Sequence, residues 1–174
     1  MHPLLEKLTG GDRRSIGRSN EVVAEVLADP GLFGILFEGL LDADPLVRMR
    51  SADAVEKITA LHPEYLQPFK PRLLDQVALI EQQEVRWHTA QLIPRLALTP
   101  DERSRAVSIL ESYFSDQSSI VKTFAMQALA DLAGQDADLR ETIIPLLEIL
   151  TRQGTPAMQS RGRKLLAKLE RQKP

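Results

Sequence analysis

Apolar and small residues recur along the chain with the spacing of one helix face. From Val47 that face continues through Ser51, Ala54, Val55 and Ile58, which are positions zero, plus four, plus seven, plus eight and plus eleven. The same template fits Val85, Thr89, Leu92, Ile93 and Leu96, and again Val121, Ala125, Ala128, Leu129 and Leu132. Two degenerate copies flank these: Ser15, Ser19, Val22, Val23 and Val26, and Met158, Gly162, Leu165, Leu166 and Leu169. The starts at 15, 47, 85, 121 and 158 lie 32, 38, 36 and 37 residues apart, a period that predicts a stacked helical repeat. Position plus four is always small, which lets a neighbouring helix approach closely. Plus eight and plus eleven are always branched aliphatics, each contributing roughly 1.5 to 3 kcal/mol when fully buried.

Helix starts are marked independently. Three residues before each position zero stand Asp12, Asp44, Gln82, Ser118 and Thr155, four of them good N-caps, with Pro45 and Pro156 at the first helical position. A leading helix is expected before each copy: a stub over Pro3–Thr9, then Gly31–Leu41, Pro68–Ile80, a helix opened by the capping box Thr99-Pro100-Asp101-Glu102, and Asp138–Arg152. Pro94 and Pro145 fall inside expected helices and predict kinks. The prediction is an all-α fold, a right-handed α-solenoid of about five antiparallel helix pairs over residues 1–28, 31–61, 64–97, 100–134 and 136–171, in a single domain spanning 1–174.

The copy at Asp44-Pro45-Leu46-Val47-Arg48, with its small residue four further on, resembles HEAT repeats, whose second helix typically opens D-P-x-V-R. Val85-Arg86 and Val121-Lys122 repeat the Val-basic pair, whereas Ser15-Ile16 and Met158-Gln159 depart from it as capping repeats would. The period is shorter than the ~40 to 47 residues typical of HEAT and armadillo repeats. The chain is similar to small bacterial HEAT-repeat proteins of unassigned activity. In such proteins the concave groove is lined by the face around plus two, plus six and plus nine. The paired His-Glu iron ligands of HEAT-like deoxyhypusine hydroxylases have no counterpart: His2 and His62 precede prolines and His88 precedes Thr89.

That groove face carries the candidate chemistry. Plus two brings Met49 and Trp87, plus three Arg50, His88, Phe124 and Arg161, and plus six Gln91, Gln127 and Lys164. Exposed Met and Trp on adjacent repeats are the anchors interfaces use, so Met49, Arg50, Trp87, His88, Gln91, Phe124 and Gln127 form the expected partner-binding set. The other reading of Trp87 is a ring leaning on a neighbouring helix or covering Pro94. Arg18, Arg48, Arg50, Arg86, Arg161, Arg163 and Lys164 form an alternative anion or nucleic-acid set, against a ladder in which Arg48, Arg86 and Lys122 pair with Asp42, Glu84 and Asp116. The basic C-terminal helix is read first as a polar cap closing the last repeat, and second as a contact for nucleic acid or an acidic surface.

Composition narrows these readings. Of 174 residues, 43% are hydrophobic and only 5% aromatic, so the core is expected to be mostly aliphatic. The absence of cysteine excludes disulfides and thiolate metal sites and fits a reducing compartment, with the cytoplasm as the default. A formal net charge of -2 gives no global attraction for nucleic acid. No stretch approaches a membrane span. Three scattered histidines make no metal set, and no phosphate loop or nucleophile motif is present. The expected protein is a non-enzymatic scaffold without cofactor or metal, binding a protein or peptide, with nucleic acid as the alternative partner.

Overall fold

A computed structural model of the chain describes residues 1–172. Among them the fold is all-helical: ten α-helices, several continued or preceded by 3-10 turns, and no strand. Two compact units divide it, Met1–Ala97 and Leu98–Pro174.

The first unit holds α1 (Pro3–Glu6), α2 (Ser19–Ala28), α3 (Phe33–Glu38), α4 (Pro45–Leu61), α5 (Lys70–Asp75) and α6 (Gln83–Leu92). Helix α4 is its centre, packing on α2, α3 and α6. The second unit holds α7 (Pro100–Ser112), α8 (Ser119–Gln135), α9 (Ala137–Gln153) and α10 (Pro156–Glu170), with α8, α9 and α10 in mutual contact and α7 on α8.

Burial follows the repeat template closely. All five plus-four residues, Ser19, Ser51, Thr89, Ala125 and Gly162, are buried, as are all five at plus seven and all five at plus eleven. The exceptions are Ser15, exposed, and the half-buried Val23 and Leu166, all in the first and last copies. Close approach at plus four is literal. A Cβ on Gly162 would collide with the Thr151 hydroxyl and lie 2.8 Å from Thr151 Cβ and 3.0 Å from Met126 Cε, so α10 can seat against α9 and α8 only with glycine there. In the first unit a Cβ on Gly39 would run into the Ser51 hydroxyl.

Caps behave as their chemistry demands. Asp44 accepts from the Leu46 N–H at 2.8 Å, Ser118 from Val121 at 3.4 Å and Thr155 from Met158 at 3.4 Å. The Thr99 capping box closes in both directions, with Thr99 N–H donating to Glu102 Oε2 at 2.8 Å and Glu102 N–H to Thr99 Oγ1 at 3.3 Å. Gln82 makes no cap.

Three expectations are corrected. No helix starts after Asp12. Residues 12–18 form a loop and α2 begins at Ser19, because Gly10, Gly11 and Gly17 adopt φ of 65°, 81° and 56°, left-handed values that no α-helix contains. The expected helices over Gly31–Leu41 and Pro68–Ile80 are each broken into α3 or α5 flanked by 3-10 turns; Pro30 and Pro63 open the leading 3-10 turns, and Pro68 lies inside the second of them. Pro94 ends α6 in a 3-10 turn over Ile93–Arg95, whereas α9 runs through Pro145.

The core is mainly aliphatic, with a cluster of aromatic rings in the first unit. Phe37 stacks on Phe69 at 4.6 Å, and Phe33 meets Phe69 and Tyr65 edge-on at 5.6 and 5.7 Å. These pairs lock α3 against the Pro63–Phe69 turn. No helix among the described residues is long and apolar enough to cross a membrane.

Candidate partner-binding groove

In the first unit, three segments converge on an open groove of about 520 Å³. The loop before α2 contributes Arg13, Arg14, Ser15 and Ile16; α4 contributes Met49, Arg50 and Asp53; α6 contributes Glu84, Trp87 and His88. A smaller hollow of about 200 Å³ adjoins it, sharing Arg13, Met49 and Glu84 and adding Pro45, Leu46 and Gln82. Asp53 lies three residues from Arg50 and four from Met49 on α4, and Glu84 lies three from Trp87 and four from His88 on α6, spacings that bring side chains to one side of each helix. The groove therefore collects plus two and plus three positions of two successive copies, Met49 with Arg50 and Trp87 with His88.

Trp87 is half-buried, its ring 5.7 Å from that of His88, and Met49 is half-buried beside it. Ile16 remains 41% exposed on the loop wall. The result is an apolar floor open to solvent. Gln91 stands outside the lining and donates from Nε2 to the Trp87 carbonyl at 3.2 Å.

Arg50 departs from its expected place. It was expected to offer its guanidinium on the solvent face, but it is only 2% exposed. Nη1 donates to the carbonyls of Leu8 at 2.9 Å, Thr9 at 3.3 Å and Gly10 at 2.7 Å, Nη2 to Asp12 at 3.1 Å, and Nε to Ser15 at 3.1 Å. Five carbonyls solvate a charge that has no carboxylate partner among the described residues. The loop replaces the helix expected there and turns its carbonyls inward instead of spending them on helical bonds. Gly17 is part of this arrangement, since a Cβ there would sit 2.7 Å from Arg50 Cζ. Arg50 thus builds the groove wall rather than presenting a charge on it.

The groove's other polar groups are set by neighbours. Asp53 accepts from the Ser19 hydroxyl and from Lys57 Nζ, both at 2.6 Å. His88 Nδ1 lies 2.7 Å from the Glu84 carbonyl; a carbonyl only accepts, so Nδ1 carries the hydrogen and Nε2 the lone pair. Burial lowers the His88 pKa, against the smaller opposing pull of that hydrogen bond and of Asp53 and Glu56. The imidazole is therefore neutral at pH 7.

Phe124, Gln127, Arg161, Arg163 and Lys164 belong to the second unit. Phe124 is half-buried on α8, and Gln127 is engaged on both sides, donating to Asp131 at 3.0 Å and accepting from Arg161 Nη1 at 2.7 Å. Arg163 and Lys164 are exposed on α10. The other cations of the anion set have internal partners. Arg18 forks onto Glu21 at 2.6 and 2.8 Å. Arg48 donates to the carbonyls of Asp42 and Ala43 and to Gln82 Oε1, at 2.7, 3.0 and 2.9 Å. Arg86 lies 3.9 Å from Glu81.

The expected ladder is thereby modified. Arg48 takes the turn's backbone and the next copy's Gln82, while the Asp42 carboxylate accepts the Asp44 N–H at 2.8 Å. Asp116 repeats that turn on the Ser118 N–H, also at 2.8 Å. Among the described residues no group of three or more His, Asp or Glu side chains could hold a metal ion.

Of the lining, the expected set contains Met49, Arg50, Trp87 and His88 but not Asp53, Glu84, Arg13, Arg14, Ser15 or Ile16. The available signal was Gly10-Gly11 just before the expected cap Asp12, with Gly17 inside the first turns of the helix expected after it.

No protein-family model and no curated protein matches the chain. A crystal structure of an engineered protein, solved by the Northeast Structural Genomics Consortium, superposes with a TM-score of 0.65 at 18% sequence identity, over 97% of this chain and 78% of that one. The likeness is one of fold. At that identity it carries an all-helical architecture and nothing of function.

Proposed function

We propose that the five-copy pattern is of the HEAT type, a right-handed solenoid of helix pairs, and that the protein is a non-enzymatic interaction scaffold whose groove between the loop at 13–16, α4 and α6 receives a peptide segment of a partner protein. The repeat reading is supported by burial of the template positions in every copy apart from Ser15, Val23 and Leu166. The binding reading rests on one observation: Met49, Trp87 and His88, singled out by their place in successive repeats, line a single groove together with Arg50. A partly exposed tryptophan over an apolar floor is the usual anchor of a binding hot spot.

A peptide suits this groove better than nucleic acid. Its walls mix Asp53 and Glu84 with Arg13 and Arg14, and its floor is apolar. A polyanion favours cations that face solvent, whereas Arg18, Arg48, Arg50 and Arg161 are engaged within the protein.

Display selection of random peptides on the purified chain tests the proposal. Enriched peptides should lose about 30-fold or more in affinity to a Trp87→Ala variant of unchanged circular dichroism. Failure to enrich any peptide, or enrichment of peptides indifferent to Trp87, would sink it.

A further inference from the structure

Arg13 and Arg14 differ from the cations around them. Lys7 bridges Glu21 and Glu25, Arg18 pairs with Glu21, Lys57 with Asp53, and Arg50 is spent on carbonyls. Arg13 and Arg14 are exposed, line the groove, and have no acidic partner among the described residues. Their backbone is nevertheless fixed. Asp12 Oδ1 accepts the Arg14 N–H at 2.9 Å, Ser15 Oγ accepts the Gly17 N–H at 3.0 Å, and Arg50 clamps the Asp12 and Ser15 carbonyls. Two unpaired guanidiniums on a clamped loop need little ordering before they can fork a carboxylate.

Across the groove the acids are unequal. The Asp53 carboxylate is already neutralised by Lys57 and the Ser19 hydroxyl, so it adds little repulsion. Glu84 has no cationic partner among the described residues, its carboxylate accepting from Gln83 Nε2 at 3.5 Å. The groove therefore has a cationic wall at 13–14, an apolar floor at Met49 and Trp87, and an anionic edge at Glu84.

We propose that the occupant is an extended peptide in which an acidic residue lies next to a large apolar one, the carboxylate on Arg13 and Arg14 and the apolar side chain on Trp87 and Met49. This rests on the peptide reading above and adds its charge and direction: the carboxylate points to the loop, and N–H donors or a basic side chain point to Glu84.

Trp87 is the chain's one tryptophan, so intrinsic fluorescence reports occupancy of the groove directly. The full-length chain is titrated with short peptide pools free of Trp and Tyr, in acidic–apolar, basic–apolar, apolar-only and acidic-only compositions, and with a single-stranded oligonucleotide. The acidic–apolar pool should bind tightest, lose about tenfold or more with Arg13→Glu/Arg14→Glu, and yield to the basic–apolar pool in that variant. Both side chains are exposed and make no hydrogen bond or ion pair among the described residues, and circular dichroism checks that the variant keeps its fold. Equal binding of basic–apolar or apolar-only peptides, unmoved by the double substitution, overturns the proposal while leaving the peptide groove intact. Response to no peptide, or to the oligonucleotide alone, overturns both.

Discussion

A guanidinium buried away from carboxylates must be solvated by dipoles, and Arg50 finds them in the loop that precedes α2. Replacing it leaves the carbonyls of Leu8, Thr9, Gly10, Asp12 and Ser15 without their donor. The loop is exposed and water re-solvates part of it, so Arg50→Met should cost about 2 to 4 kcal/mol in denaturant unfolding. Arg50→Lys recovers only part, since a point ammonium cannot span five acceptors. Amide exchange over residues 8–17 should quicken in both, and unchanged exchange would refute the clamp. Sequence periodicity gave Arg50 its helix and its neighbours but not its direction, because direction depends on a loop 35 residues away whose shape comes from three left-handed glycines. His88 carries a residue-scale prediction of its own. Its folded pKa is depressed by burial, so as pH falls below the ordinary value of about 6.5 the unfolded chain takes up the proton first. Stability is intact above that value and declines as pH falls toward the folded pKa, by at most about 1.4 kcal/mol per pH unit. His88→Gln should flatten the profile just below about pH 6.5, and an identical slope would show that other groups set it.

At the scale of elements, helix starts were the most legible feature, because a cap is a local contract between a side chain and N–H groups two or three residues on. Asp44, Thr99, Ser118 and Thr155 were readable for that reason. Thr99→Ala should cost about 1 kcal/mol, with Glu102→Ala partly redundant to it, since each removes half of the capping box. Asp12 misled because it makes the same local bond, to the Arg14 N–H, within a turn instead of a helix. The leading helices were legible in position but not in continuity: proline removes hydrogen bonds one at a time, and only packing decides whether a short helix survives. Small residues at plus four carry a further test. Glycine is poor in a helix interior by about 1 kcal/mol relative to alanine, yet Gly162→Ala should destabilise by about 1 kcal/mol or more net. The new methyl meets Thr151 and Met126 where there is no room, and overpacking costs about 1 to 3 kcal/mol. A raised melting temperature would show that α10 can shift away from α9. At the equivalent position the buried Ser51 hydroxyl finds no hydrogen-bond partner among the described residues, so Ser51→Ala should be neutral or stabilising by thermal unfolding.

For the whole molecule, the all-helical fold was legible because the same helical spacing at five places is a stronger signal than any one helix. The groove was half legible. Repetition identifies Met49, Trp87 and His88 as positions where copies differ in chemistry, but Arg13, Arg14 and Ile16 come from the loop that replaces a helical turn in the first copy. Charge offers a measurement that separates the two partner classes at this scale. The protein's formal net charge is -2, and several of its cations are bound internally. A peptide carboxylate held by two loop arginines should weaken only several-fold between 50 and 500 mM salt, because one short-range pair is screened while the apolar contact with Trp87 and Met49 is not. A nucleic-acid partner contacting six or more phosphates would lose about a thousandfold or more over an even narrower range. The slope of log affinity against log salt, followed by the anisotropy of a labelled peptide or oligonucleotide, therefore distinguishes them without knowledge of the natural partner. A shallow slope that steepens no further in Arg163→Ala/Lys164→Ala supports the peptide groove. A steep slope that relaxes in the same variant would move the binding surface to α10.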